Sequence, residues 1–101
     1  MGIMDLLFEK SKDLKEELLN GAKVVDVRSP EEFEGGHVKG SLNIPINTIK
    51  SNELRLKKMK SKIIFCCASG NRSGQATSIM KSKGLDCING GSWLNVNSHI
   101  L

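Results

Sequence analysis

Ile63-Ile64-Phe65-Cys66 is an unbroken apolar run with no polar residue at alternate positions. A strand with one wet face alternates; an unbroken run suits a strand covered on both faces, as in the interior of a parallel sheet. The run leads at once into Cys67-Ala68-Ser69-Gly70-Asn71-Arg72-Ser73, small and polar residues fit for a loop. A helix is predicted next, because Ala76, Ile79 and Met80 share one helical face, Lys81 and Lys83 complement its negative end, and Gly84 stops it. The same grammar occurs earlier in the chain. Lys23-Val24-Val25-Asp26-Val27 is a β-branched run, and Ser29-Pro30-Glu31-Glu32 offers a capping serine, a first-turn proline and a capping-box glutamate. Gly35-Gly36 keeps that helix short. Strand and helix alternate, which predicts an α/β domain around a mainly parallel sheet.

The remaining elements fit around these. Ile3, Leu6, Leu7, Leu14 and Leu18 lie near one stripe of an expected amphipathic first helix ending near Asn20-Gly21. Ser41-Leu42-Asn43-Ile44-Pro45 reads as a second strand closed by proline, and Ile46, Ile49, Leu54, Leu56 and Met59 hint at a short helix within 46–61. Asp86-Cys87-Ile88-Asn89 is a last short strand, after which Gly90-Gly91 is expected to turn the chain toward Trp93. A length of 101 residues suits one domain spanning 1–101. No apolar run approaches the roughly 18 residues of a membrane span. Met1-Gly2-Ile3-Met4-Asp5-Leu6 lacks a secretory start, and Leu6 stands where a myristoylation signal wants Ser or Thr. A soluble cytoplasmic domain is the expectation, ending soon after Trp93 with one wall of its pocket thin.

Charge is unevenly spread. Residues 1–34 carry five basic and nine acidic side chains, net −4, whereas residues 35–101 carry ten and two, net +8. A basic second half favours an anionic ligand or an acidic partner. Nucleic acid is disfavoured, because Phe8, Phe33, Phe65 and Trp93 are too few for base stacking. Lys57, Lys58, Lys60 and Lys62 read as a solvated face. Cys66, Cys67 and Cys87 are odd in number and show no C-x-x-C spacing, and His37 and His99 lie far apart. That pattern predicts reduced thiols, no metal site and no cofactor.

One thiol has a special position. Open α/β sheets bind ligands where strand ends meet helix starts. A cysteine there meets converging backbone N–H groups and the positive end of a helix, which favour its thiolate and thus make it a nucleophile. The same nest of amides would hold a negative group joined to that sulfur. Arg72 adds a full charge, while Gly70 and the small Ala68 and Ser69 let the loop curl. A strand-ending cysteine can equally be a small buried hydrophobe.

Two blocks carry a resemblance. Asp26-Val27-Arg28-Ser29-Pro30-Glu31-Glu32-Phe33 with Gly36-His37-Val38-Lys39-Gly40-Ser41-Leu42-Asn43-Ile44-Pro45 resembles the D-x-R…E-[FY]-x-x-G-H-x-x-G-[AS]-x-N-[IV]-P block of rhodanese-like domains. Cys67 to Ser73 resembles their C-x-x-G-x-R-S loop, and Gly90-Gly91-Ser92-Trp93 their closing G-G-x-x-x-W, with the tryptophan early. The likeness covers residues 22–93 in the family's order. It implies a small rhodanese-like domain with a mainly parallel sheet of four to five strands and helices on both faces. The implied activity is sulfur transfer: Cys67 would take sulfane sulfur from a small anionic donor such as thiosulfate and pass it to a thiol or cyanide acceptor, a sulfur-acceptor protein included. Residues Ala68, Ser69, Gly70, Asn71, Arg72 and Ser73 would bind the substrate. Asp26 and Arg28 would support the loop, their simplest role being a structural network such as an Arg28–Glu32 pair. His37 would brace the turn before the second strand rather than act as a base.

Two other readings stay open. Counted from Cys66, the same loop reads C-x5-R-S, the signature of cysteine phosphatases, and arsenate reductases share that chemistry. Gly70 falls third after Cys67, as the rhodanese loop requires, and Cys66 continues the strand. A sulfur-carrier or interaction domain with little turnover is the other alternative, since neither Ala68 nor Ser69 brings the charge that recruits thiosulfate. Cys87 reads as core.

Overall fold

The computed structural model describes residues 14–100. Helix α1 covers 14–19 among these, and the earlier part of its expected stripe (Ile3, Leu6, Leu7) lies outside the described residues. Four parallel strands, β1 (Lys23–Asp26), β2 (Leu42–Asn43), β3 (Ile63–Cys67) and β4 (Cys87–Ser92), form one sheet in the order β2-β1-β3-β4. The β1–β2 and β3–β4 connections run in opposite directions from the centre. The place where that direction reverses, between the C-terminal ends of β1 and β3, is where such sheets hold ligands.

Side-chain alternation sorts the core. Val25, Val27, Ile63, Phe65 and Cys67 face one side, packed against Ile49, Leu56, Ala76, Met80 and Leu85. Leu56 comes from α3 (Glu53–Lys58), Ala76 and Met80 from α4 (Asn71–Ser82), and Ile49 and Leu85 from the flanking connections. Val24, Ile64 and Cys66 face the other side, with Leu14, Val38 and Val96 and with Trp93 at the margin. All five residues of β3 are buried, so the apolar run marks a strand covered on both faces. Because the period is two, adjacent Cys66 and Cys67 sit on opposite faces.

Local signals explain the boundaries. Ser29 caps α2 (Pro30–Glu34) with a complete capping box, Glu32 N–H to Ser29 Oγ at 3.3 Å and Ser29 N–H to Glu32 Oε1 at 3.1 Å. Two expectations need correction. The second strand is only Leu42–Asn43: Ile44 N–H still donates to Asp26 O, but from Pro45, which has no N–H, the chain bends into 3-10 turns at Ile46–Thr48 and Lys50–Asn52. In the stretch that follows, Leu54 is exposed whereas Ile49 and Leu56 are buried. Gly90-Gly91 is not a turn: β4 runs through to Ser92 with a bulge, pairing Phe65 with Asn89 but Cys66 with Gly91. Gly90 fits there because a Cβ would stand 2.6 Å from Val96 and 2.7 Å from Ile64. The bulge carries the chain into α5 (Trp93–Ser98), a helix the sequence pattern did not signal and which packs Val96 into the core beyond Trp93. No described helix is long and apolar enough to cross a membrane.

Candidate active-site loop

Cys67 ends β3 with its side chain on the α4 face, and the loop folds back over it. Gly70 N–H donates to Sγ at 3.0 Å and Ser73 N–H at 3.4 Å, while the Ser73 hydroxyl stands 3.3 Å away. Gly70 makes this possible: it caps α4 at φ +96, and a Cβ there would meet Gly91 Cα at 3.3 Å. Ala68 and Ser69 are exposed at the lip, Asn71 opens the helix, and Cys67 itself is buried.

The two neighbouring thiols differ in their titration. Burial pushes the Cys67 thiol up. Hydrogen bonds from the Ser73 hydroxyl, the Ser73 amide and the amides of Ser69 and Gly70 outweigh that, so its pKa lies below the ordinary thiol value. Cys66 has no such donors. Burial, reinforced by the Asp26 carboxylate, pushes it up to about 12. Cys87 is raised by burial and belongs to the core.

Ser73 is itself positioned by Asn89, which lies outside the residues the motifs single out. Ser73 Oγ donates to Asn89 Oδ1 at 2.7 Å, Gly91 N–H donates to the same oxygen at 2.9 Å, and Asn89 Nδ2 donates to Gly70 O at 3.2 Å. One amide therefore ties the loop, the helix start and the β4 bulge together. The Ser73 hydroxyl has one proton to give. It can go to Asn89 Oδ1 or, when the sulfur is ionised, to Cys67 Sγ.

Asp26 and Arg28 are buried, and the structure does not bring them into hydrogen-bond contact with residues 67–73. Arg28 donates to Asp26 through Nε and Nη2, the latter at 2.8 Å, and through Nη2 to Gly36 O at 2.7 Å; its guanidinium lies 5.1 Å over the Trp93 ring. These contacts clamp the end of β1 to the turn at Gly36. The expected Arg28–Glu32 pair does not form: Nε and Nη2 of Arg28 are taken up by Asp26 and Gly36. Glu32 instead takes Arg72, with Nη1 to Oε1 at 2.7 Å and Nη2 to Oε2 at 3.0 Å. The sequence marks Glu32 as a capping residue and an expected partner of Arg28, with no signal of Arg72. Hydrogen bonds from Arg72 and from the Ser29 amide hold its carboxyl down at about 2. His37 stacks on Phe33, ring centroids 3.7 Å apart, and its Nδ1 bonds Phe33 O at 2.7 Å, so it braces the turn. Beside Arg72 a cleft of about 360 Å³ opens, walled by Pro30, Pro45, Ile46, Asn47 and Thr48. Among the described residues, no three His, Cys, Asp or Glu side chains converge as a metal site.

The family model for the Rhodanese-like domain matches residues 10–94. The chain belongs to the rhodanese-like domain family. It is 40% identical over 65 residues to the uncharacterized protein YqhL of Bacillus subtilis, covering 62% of this chain and 49% of that protein. It is 30% identical over 80 residues to the thiosulfate sulfurtransferase GlpE of Pseudomonas aeruginosa, covering 79% of this chain and 69% of that one. Its fold matches the crystal structure of a rhodanese-related protein from Thermoplasma volcanium at TM-score 0.73 and 30% identity, over 87% of this chain and 86% of that one. The chain spans about half the length of its Bacillus relative, and it shares its α/β architecture with the Thermoplasma structure.

Proposed function

We propose that this domain is a sulfurtransferase in which Cys67 carries the sulfur. The observation that carries the proposal is the ring of donors around one buried sulfur, the amides of Gly70 and Ser73 and the Ser73 hydroxyl. The Cys67 thiolate attacks the outer sulfur of a donor such as thiosulfate. A Cys67–sulfur bond forms, the donor's S–S bond breaks, and its electron pair leaves with sulfite. The product is a Cys67 persulfide whose terminal sulfur keeps one negative charge. A thiolate or cyanide then attacks that terminal sulfur, and the electron pair returns to Cys67. The anionic intermediate is favoured by the peptide dipoles of the loop and by the start of α4. The donors that lower the Cys67 pKa favour its thiolate, so the step draws on them rather than on a general base. Three free thiols suit a reducing compartment such as the cytoplasm.

Exposure to thiosulfate should raise the intact mass by one sulfur, mapped to residue 67, and cyanide should release it as thiocyanate. Cys67→Ser should abolish uptake, while Cys66→Ser should retain it. Equal loss in both folded variants would refute the assignment. A cysteine phosphatase using Cys66 is disfavoured, since that thiol lies on the opposite face of the sheet and is held protonated. A sulfur carrier with slow turnover is the second reading. It is favoured by the uncharged Ala68 and Ser69 and by the buried sulfur; persulfide formation with negligible steady-state transfer would select it.

A further inference from the structure

Arg72 is the only cation in the loop from Cys67 to Ser73. In a site that loads a divalent anion it would be expected to face the mouth. Its guanidinium is instead gripped at both ends by the Glu32 carboxylate, at 2.7 and 3.0 Å. Glu32 is fixed for this task from the other side, because Oε1 also accepts the Ser29 N–H and hydroxyl at 3.1 Å. The other buried charges nearby, Asp26 and Arg28, cancel each other at 2.8 Å. Ala68 and Ser69 contribute no charge. An approaching donor therefore meets the Cys67 sulfur and peptide dipoles, and the loop itself offers no unpaired positive charge to offset the repulsion between like charges.

We infer that Glu32 is a specificity-determining residue: by pairing with Arg72 it masks the loop's positive charge and weights the site against divalent donors such as thiosulfate, in favour of sulfane donors of low net charge such as aminoalkyl persulfides. This deepens the sulfurtransferase reading and rests on it. Both partners are more than a third exposed, Arg72 at 35% and Glu32 at 38%, so the pair is weak enough for a divalent donor to compete with Glu32. Glu32 acts through Arg72 and touches no reacting atom. It is a positioning residue.

The test compares two donors, the thiosulfate dianion and the net-neutral cysteamine persulfide, on the whole chain. Glu32→Gln keeps an oxygen for the Ser29 amide and removes the charge. Its thiosulfate KM should fall about three- to fivefold at low salt, the size expected for releasing a half-exposed ion pair, and the gain should shrink as salt rises. Its cysteamine persulfide KM should stay at the wild-type value. Ser29→Ala disturbs the same cap but leaves the pair, and Glu31→Gln removes an equal charge from an exposed neighbour; both should keep the wild-type donor ratio. Thiosulfate binding by calorimetry, in a Cys67→Ser background with and without Glu32→Gln, reads the masking without any chemistry. A folded Glu32→Gln variant whose thiosulfate KM and binding are unchanged or weaker overturns the inference, as does an equal change for both donors. If the wild type moves sulfur from neither donor, the sulfurtransferase reading fails, while the calorimetric comparison still decides the masking.

Discussion

At the scale of single residues, Cys66 and Cys67 differ in everything except composition. One peptide bond separates a thiol pushed up to about 12 from one held below its ordinary value. The cause is which side of the strand faces the loop. Ser73→Ala removes the strongest of the contacts that lower the Cys67 pKa, so its titration should move up toward the ordinary thiol range. The direction of the pH effect follows. Persulfide loading should rise with pH through the Cys67 pKa, and Ser73→Ala should shift that rise to higher pH, checked by stopped-flow loading across a pH series. A folded Ser73→Ala protein with the wild-type profile would contradict this. Cys67 was legible in the sequence because a strand end, a glycine three residues on and a helix start coincide. Asn89 was not, because its contacts with Ser73, Gly70 and Gly91 arise only when the bulge in β4 brings it under the loop.

At the scale of elements, the capping box and the bulge each do two tasks. Glu32 both closes the start of α2 and holds the start of α4, so helices far apart in sequence are fixed to one another. Its carboxyl is held at about 2 against an ordinary 4.5. A depressed carboxyl contributes above its unfolded value and loses that contribution as pH falls through the folded one. The link should therefore persist at pH 4 and fail only nearer 2, seen as loss of the Arg72 side-chain nitrogen shifts in NMR. Gly70→Ala would force a Cβ into a left-handed residue and against Gly91. It should cost roughly 1–2 kcal/mol in denaturant unfolding, with a larger loss of loading because the loop amides would lose their aim. The alternation of strands and helices was readable from periodicity. The extent of β4 and the existence of α5 were not, because glycines that suit a turn also suit a bulge packed against Ile64 and Val96.

At the scale of the molecule, a two-faced sheet delivers the chemistry to its C-terminal edge. The Asp26–Arg28 clamp joins the end of β1 to the turn at Gly36 and to Trp93 at the start of α5. Asp26→Ala would strand a buried guanidinium and should cost about 3–5 kcal/mol in thermal or denaturant unfolding. A double change, Asp26→Leu with Arg28→Met, should cost clearly less than Asp26→Ala alone, because no charge is left buried without its partner; an equal or greater loss would contradict a clamp that matters mainly as a satisfied pair. The central claim is that the donors around Cys67 favour its thiolate and bring its pKa below the ordinary thiol value. The most direct measurement is an ultraviolet thiolate titration of the whole chain, compared with Cys67→Ala. One thiolate ionising below the ordinary thiol range, and missing from Cys67→Ala, is the expected result; no such ionisation, or one that survives in Cys67→Ala, would contradict the account.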